Sequence, residues 1–348
     1  MNAVQLFHDY DNKLPLYQDF TDYLKRYFKK LLSSKNISYF QIEYRVKSLE
    51  SYLDKAYRLY HEDPNFNGCI NDIVGVRIIT YYEEDIQTIS RIIESEFNVK
   101  LKNTEYESQN RSPDRFGYAS THYKATLSKK QMATHGWRRF KDIVFEIQLR
   151  TVAQHAWATI DHKIRYKSAK KLPNDIQRQI FQLSALFELA DHQFSSIRKE
   201  IESEELQELN RMQNGEMDAK VNNMTLGYYL DSHKKLIQKL VRKAKSSGFQ
   251  KISIKNDANS VRYLLILFEK LGIDTIEELN DLFEEARNKA DIIFKNIYDT
   301  ITDKTIINLQ QPFPLISLLV ITLRFKSIGI NGLDEHKLIL DQLDALYK

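Results

Sequence analysis

Strand-like patterns are concentrated in the first half of this chain. Residues 123–127 and 143–149 alternate apolar and polar side chains, which is typical of sheet strands. Residues 71–80 form a compact β-branched run after a turn-prone segment, which predicts a buried strand. The second half instead repeats its apolar residues at helical steps. These patterns predict an α+β domain over residues 1–200 and an all-α C-terminal region over residues 201–348.

Helical spacing of apolar residues also surrounds the predicted strands. It covers residues 13–60, 84–97 and 151–166, whereas the polar, breaker-rich residues 103–117 indicate a loop. The chain has only 10 Gly and 6 Pro in 348 residues, which favours long helices.

Composition narrows the class of protein. Hydrophobic residues make up 42% and charged residues 28%, as in soluble globular proteins. The single cysteine, Cys69, excludes an intramolecular disulfide and a cysteine-based zinc cluster. Residues 315–323, the longest apolar run, reach about half the length of a membrane span. No secretory signal is evident at the N-terminus. We therefore expect a cytoplasmic protein without a membrane partner.

Residues 47–58 place three cations and a hydroxyl at helical spacing. Lys47, Ser51, Lys55 and Arg58 follow one another at steps of three and four and share one helix face. Such a face suits a triphosphate, because phosphate oxygens accept charge-assisted hydrogen bonds. Taken alone, the same pattern also fits a solvated basic face.

Asp72 stands at the start of an apolar strand, where an unpaired carboxylate is costly to bury. It is therefore either a cap of a turn or helix, or a metal ligand at a strand edge. The direction of Arg77 stays open, because a bulge at Gly75 would reverse its face.

Glu146, Gln148 and Arg150 face the same way in the strand that the alternation predicts. An acid, an amide and a cation thus project together, although a solvated face of an antiparallel strand would look the same. Glu146 together with Asp72 would supply the two hard oxygen ligands that Mg²⁺ prefers.

Residues 115–122 end the polar loop and bring an aromatic residue after a glycine. Tyr118 in such a place can stack on a nucleobase, which contributes about 1–3 kcal/mol. Alternatively, the ring anchors the loop to the core.

The residues singled out above fall into four motifs that follow one another along the chain. They are RVKS with its following Ser and Lys, DIVGVR, RFGYASTH and EIQLRTVAQHAW. Their order and spacing over residues 44–166 resemble the RelA/SpoT synthetase domain of stringent-response enzymes and small alarmone synthetases. The resemblance implies a mixed β-sheet flanked by helices. It also implies transfer of the β,γ-diphosphate of ATP to the ribose 3′-hydroxyl of GDP or GTP, giving (p)ppGpp and AMP.

The resemblance further implies a role for each site residue. Arg45 and Arg77 would sandwich the adenine of ATP, and the phosphates would be bound by Lys47, Ser51, Lys55 and Arg58. Asp72 and Glu146 would hold Mg²⁺, with Glu146 also acting as the base. The acceptor would be bound by Arg115, Tyr118, His122, Gln148, Arg150 and His155.

One departure from the family pattern concerns the acceptor. Asp114-Arg115-Phe116 stands where many alarmone synthetases carry a Lys and an Asn before the Gly-Tyr pair. This change and several basic clusters keep an alternative open, a toxin-type relative that pyrophosphorylates the 3′ end of tRNA. A catalytically dead nucleotide-binding regulator is a third reading, against which the retention of both acids speaks. A homo-oligomer and an antitoxin or regulatory protein are the partners these readings allow, with the C-terminal region as the regulatory or oligomerisation part.

Overall fold

The structure is a computed structural model that describes residues 3–62, 70–104, 120–134, 136–167, 173–248 and 258–300. It divides into two compact units, residues 1–198 and residues 199–348. The strands are β1 (Gln41–Val46), β2 (Val74–Thr80), β3 (Phe97–Thr104), β4 (Thr121–Leu127) and β5 (Phe145–Thr151). The helices of the first half are α1 (Ala3–Ser34), α2 (Leu49–Glu62), α3 (Glu83–Glu96), α4 (Lys129–Met132) and α5 (Val152–Lys167), with a 3-10 helix at Arg138–Phe140. They are followed by α6 (Asn174–Gln213), α7 (Asn223–Ser232), α8 (Lys234–Ser246), α9 (Ala258–Lys270) and α10 (Ile276–Thr300).

The five strands form one mixed sheet in the order β1-β2-β5-β4-β3. The pair β2–β5 is parallel, and the other three pairs are antiparallel. This arrangement confirms the predicted mixed sheet with flanking helices.

The apolar face of the sheet carries the core of the first unit. Phe145, Ile147 and Leu149 of β5 are completely buried, so the period-two alternation does separate an apolar face from a polar one. On α1, Phe20, Leu24, Phe28 and Leu32 recur every four residues and are at most 1% exposed. They pack with the strands and with α3 in one cluster. Burial of each such side chain contributes about 1.5–3 kcal/mol.

On the polar face of the sheet, residues of four strands line up in two rows, and most of these residues carry charged or polar side chains. Residues directly opposite each other in neighbouring strands share a face. The first row consists of Arg45, Gly75, Glu146 and Lys124. The second row consists of Glu43, Arg77, Gln148 and His122. The register runs through Gly75 without a shift, so Arg77 faces the same side as Glu146 and the open question of its direction is answered.

The described part of the second unit is helical and has its own core. Buried residues of α7 to α10 form one cluster that includes Leu226, Leu240, Phe268 and Phe283. The start of α10 is capped by Thr275, whose hydroxyl accepts from the Glu278 amide, while the Glu278 carboxylate accepts from the Thr275 amide. The all-α prediction for this region is confirmed.

Two predicted segments were wrong. Residues 41–46 lie inside the predicted helical stretch 13–60 but form β1, because β2 offers them a partner strand. Residues 103–104 were predicted to belong to a loop, whereas they end β3. Within the described ranges, every helix is too short or too polar to cross a lipid bilayer.

Candidate active site

A cavity of about 450 Å³ opens on the polar face of the sheet. Its walls come from the three neighbouring strands β1, β2 and β5, and are formed by Glu43, Tyr44, Arg45, Gly75, Val76, Arg77, Glu146 and Gln148. Gly75 creates the space between Arg45 and Glu146, which lie opposite it on either side. A Cβ atom built on Gly75 would approach only the Arg45 carbonyl oxygen, at 4.0 Å. The backbone at this position would accept a side chain, so the glycine's effect is to leave the cavity open.

A cluster of cations lies where β1 passes into α2. Ser48 caps α2, since its hydroxyl accepts from the Ser51 amide at 3.3 Å. Lys47 precedes this cap, and its amide donates to the Ile73 carbonyl at 2.7 Å, which ties it to the segment before β2. Lys55 follows two turns later on α2. The sequence thus brings two ammonium groups to the start of β2.

Both ammonium groups bind the same oxygen of Asp72. Lys55 Nζ lies 2.6 Å and Lys47 Nζ 3.1 Å from Asp72 Oδ2. Burial raises the pKa of Asp72, but the hydrogen bonds and charges of Lys55 and Lys47 outweigh it and leave the pKa below its ordinary value. The other oxygen, Oδ1, is buried and has no hydrogen-bond partner among the described residues. An ionised carboxylate with one unused buried oxygen is a ready ligand for a cation.

Glu146 is held by a second chain of polar groups. Its Oε1 lies 2.8 Å from His122 Nδ1, and His122 Nε2 lies 2.6 Å from the Ser120 hydroxyl. Burial raises the pKa of Glu146, and so does the nearby Asp72 carboxylate. The hydrogen bond and electrostatic attraction of His122, with a hydrogen bond from Gln148, outweigh both and lower the pKa. Glu146 is therefore ionised near neutral pH and close enough to Asp72 to feel its charge.

Arg77 is fixed from both neighbouring strands. Its Nη1 donates to Glu43 Oε2 at 2.6 Å, and its Nε donates to Gln148 Oε1 at 3.1 Å. His155 Nε2 lies 3.9 Å from Glu43 Oε1, so α5 also reaches this end of the site. Burial lowers the pKa of His155 below its ordinary value; Glu43 opposes this shift, and Arg77 and Arg150 add to it.

These acids fit a divalent cation that is shared with a ligand. In the described part of the chain, His, Cys, Asp and Glu form no group of three that would hold a metal by themselves. Asp72 and Glu146 supply two carboxylates, and Asp72 Oδ1 is unused. Hard divalent cations bound by one or two carboxylates take their remaining ligands from water and phosphate oxygens.

Most of the predicted site residues meet at this cavity or at its edges. Those that line the cavity are Arg45, Arg77, Glu146 and Gln148. Asp72, which binds Lys47 and Lys55, acts on Glu146 through its charge, and His122 binds Glu146 directly. His155 lies beside Glu43 and feels the charges of Arg77 and Arg150. Ser51 and Arg58 are exposed on α2, and the Ser51 hydroxyl accepts from Ser48 at 2.9 Å. Arg115, Tyr118 and Cys69 lie outside the described residues.

Sequence reasoning missed three residues of the site, namely Glu43, Gly75 and Ser120. Glu43 and Arg45 alternate in β1, so a period-two reading of residues 41–46 would have put both on one face. Ser120 stands two residues before His122 and shares its face of the sheet if the strand geometry continues. Gly75 left no local signal of a cavity.

Comparisons with known proteins show what the chain is similar to. Residues 44–171 match the family model described as the region found in RelA and SpoT proteins. Residues 44–171 therefore resemble the RelA/SpoT region. Asp72, Glu146 and both rows of the polar face except Glu43 fall within the matched residues.

Two curated proteins of Bacillus subtilis (strain 168) are similar to this chain. GTP pyrophosphokinase YwaC is 27% identical over 204 residues, which are 57% of this chain and 94% of that protein. GTP pyrophosphokinase YjbM is 28% identical over 163 residues, 45% of this chain and 71% of that protein. Among solved structures, small alarmone synthetase 1 from Bacillus subtilis is 25% identical, with a TM-score of 0.47, and the match covers 56% of this chain and 99% of that one.

Proposed function

We propose that the chain is a pyrophosphokinase that transfers the β,γ-diphosphate of ATP to the ribose 3′-hydroxyl of GDP or GTP. The products would be AMP and (p)ppGpp. The similarity to two GTP pyrophosphokinases supports this reaction. The observation that carries the proposal is the convergence of Asp72 and Glu146, 74 positions apart in the chain, beside Lys47 and Lys55.

The donor would lie along the cavity with its phosphates at the cationic end. Lys47 and Lys55 would bind the phosphate oxygens, and Ser51 and Arg58 extend the same side of α2. The adenine would lie between Arg45 and Arg77, which stand on neighbouring strands on the cavity wall. We assign Mg²⁺ as the cation that Asp72 and Glu146 hold, where it would neutralise phosphate charge and polarise the attacked phosphoryl group.

Glu146 would act as the general base for the acceptor. The 3′-hydroxyl oxygen attacks the β-phosphorus, its proton passes to Glu146, and the bond from the β-phosphorus to the bridging oxygen of AMP breaks. His122 holds one carboxylate oxygen at 2.8 Å and so orients the other. Most of the acceleration would come from alignment and charge neutralisation, as is usual in phosphoryl transfer.

The acceptor would be bound by residues at the other side of Glu146. His122 and Gln148 lie next to each other in the second row, and Arg150 and His155 follow along β5 and into α5. Arg115 and Tyr118 complete this part of the proposal from the sequence resemblance alone.

Substitution of the two acids tests the site. We expect Asp72→Asn and Glu146→Gln each to reduce AMP release from ATP by at least about a thousandfold, the scale for loss of a group that stabilises the transition state. Asp19→Asn is a matched control, because Asp19 also pairs with a cation but lies on α1. Near-normal turnover by either site variant would show that the acids are not catalytic.

The acceptor is tested by labelling. The chain is incubated with γ-labelled ATP and, separately, GDP, GTP, ATP or deacylated tRNA. We expect label on the guanine nucleotides. Label on tRNA alone would replace this proposal with the toxin-type alternative, and no transfer to any acceptor would contradict both.

The second unit would serve regulation or oligomerisation. Every proposed site residue precedes residue 156, and the second unit has a separate core. Light scattering over a range of protein concentrations, with and without nucleotides, tests the oligomer. A constant monomer mass would exclude it and leave regulation, by a small molecule or by an antitoxin-like protein.

A further inference from the structure

Two acids at the site are paired with cations. Asp72 binds Lys47 and Lys55 beside the start of β2, and Glu43 binds Arg77 on the wall of the cavity. Glu43 belongs to β1, the edge strand, directly opposite Arg77 of β2, and both side chains line the cavity. Neither the proposed reaction nor its metal requires Glu43.

The ion pair of Glu43 and Arg77 adds little to stability. The two side chains are 34% and 30% exposed, and pairs in such settings are weakened by solvent. Its main effect is therefore on the placement of Arg77. With Nη1 on Glu43 and Nε on Gln148, the guanidinium is held from both sides before any ligand arrives.

Arg77 needs such a restraint because the proposed ligand offers it a second partner. Arg77 and Glu146 line the same cavity, so a nucleoside triphosphate in it would bring both a base and phosphates to this part of the sheet. A guanidinium binds phosphate strongly. Without Glu43, the polyphosphate at the Lys47 and Lys55 end would attract Arg77 away from the position where a base would lie.

We propose that Glu43 is the positioning residue that keeps Arg77 at the base of the donor nucleotide and away from its phosphates. The inference rests on the proposed function, since it assumes that a nucleoside triphosphate occupies the cavity. Glu43 then contributes to affinity for the adenosine part and opposes affinity for polyphosphate alone.

Calorimetry of the full chain with three ligands tests this role. The probes are ATP, AMP and inorganic tripolyphosphate, each with Mg²⁺. In Glu43→Ala we expect ATP and AMP to bind about three- to tenfold more weakly, because Arg77 must then be ordered on binding. Tripolyphosphate should bind equally well or more tightly. Glu43→Gln keeps a hydrogen-bond acceptor but loses the charge. Its ATP affinity should therefore fall between that of the unaltered chain and that of Glu43→Ala.

Asp19→Ala is the matched control. Asp19 pairs with Arg139, with 3.0 Å between Arg139 Nη2 and Asp19 Oδ2, and neither residue lines the cavity. The substitution should change none of the three affinities. A parallel loss for ATP and tripolyphosphate in both Glu43 variants, or no change at all, would overturn the inference while the proposed function stands. Failure of the unaltered chain to bind ATP would overturn both.

Discussion

Lys55 holds Asp72 across the junction of α2 and β2, with 2.6 Å between Lys55 Nζ and Asp72 Oδ2. Lys47 shares the same oxygen at 3.1 Å, so one carboxylate faces two positive charges. A divalent cation that approaches Asp72 alone is repelled by this excess. A triphosphate reverses the balance, because its oxygens offer the lysines a second partner. Metal and nucleotide should therefore promote each other's binding.

Because the lysines and the metal compete for Asp72, removal of one lysine should have opposite effects on metal affinity and on nucleotide affinity. Lys55→Met keeps an apolar stem of similar length but removes the charge. We expect Mg²⁺ to bind the nucleotide-free chain about tenfold more tightly, a factor that corresponds to about 1.4 kcal/mol. A non-hydrolysable ATP analogue should bind about tenfold more weakly, because a charge-assisted contact to phosphate is lost. Calorimetry measures both affinities.

Lys130→Met controls for the loss of a surface lysine, since Lys130 is 77% exposed and pairs with Glu96 outside the cavity. It should leave both affinities unchanged. If Lys55→Met weakens Mg²⁺ binding or does not alter it, the two lysines do not compete with the metal for Asp72.

A larger side chain at position 75 should fill the cavity without damage to the sheet. In Gly75→Val the new side chain enters the space between Arg45 and Glu146, where a Cβ meets only a carbonyl oxygen at 4.0 Å. We expect KM for ATP to rise at least about tenfold, on the scale of one lost base contact. The melting temperature should stay equal or rise, because valine favours a strand more than glycine does.

Gly227→Ala supplies the matched control for that substitution. Gly227 lies in α7, and a Cβ there meets nothing within 4 Å. This variant should keep the KM for ATP and gain a little stability, since alanine favours a helix. An unchanged KM in Gly75→Val would show that the donor does not use this cavity.

Local pattern predicted the strands whose two faces differ most. In β5 the alternation of Phe145, Ile147 and Leu149 with polar residues is visible in the sequence, and the structure keeps it. In β1 no residue is fully buried, so its alternation is weak and the neighbouring helical spacing prevailed in the prediction. The end of β3 was also missed. β3 is an edge strand, and its pairing with β4 shifts register between Val99 and Leu101.

The site shows the same limit of local reasoning. Glu146 and Gln148 could be placed on one face from spacing alone, whereas the closeness of Glu146 to Asp72 was inferred from the ligands that Mg²⁺ prefers and from the family resemblance. A period-two reading of β1 would have placed Glu43 on the face of Arg45, but its contact with Arg77 could not be found, because that depends on which strands pair and in what register. Such pairing is set by the whole sheet rather than by neighbouring residues.

A partly buried contact between α1 and α3 predicts a pH dependence of stability. Tyr27 of α1 donates to Glu96 of α3 at 2.6 Å, and burial, with this bond, raises the pKa of Tyr27 to about 12. Because the folded chain keeps the phenol proton more tightly, the stabilisation is complete below pH 10 and is lost between pH 10 and about 12. Tyr27→Phe should cost about 1 kcal/mol near neutral pH, with the difference shrinking over that interval.

Urea unfolding of both chains between pH 7 and pH 12 measures this difference. Tyr60→Phe is the control, since Tyr60 is 46% exposed and its hydroxyl makes no hydrogen bond with the described residues in the structure. Its effect on the free energy of unfolding should be small. A constant cost for Tyr27→Phe up to pH 12 would contradict the role of the phenol proton.

A buried hydrogen bond holds α6 at the end of β5. The Thr151 hydroxyl donates to Asp191 Oδ2 at 2.6 Å, and both residues are at most 1% exposed. A hydrogen bond to a buried carboxylate contributes about 1.5–3 kcal/mol, so Asp191→Ala should lower the free energy of unfolding by that amount. His192→Ala, one position along α6, removes a side chain that is 49% exposed and whose Nδ1 lies 2.9 Å from Glu83 Oε2. It should cost at most about 1 kcal/mol. Urea denaturation compares the two, and equal costs would mean that the buried bond does not anchor α6.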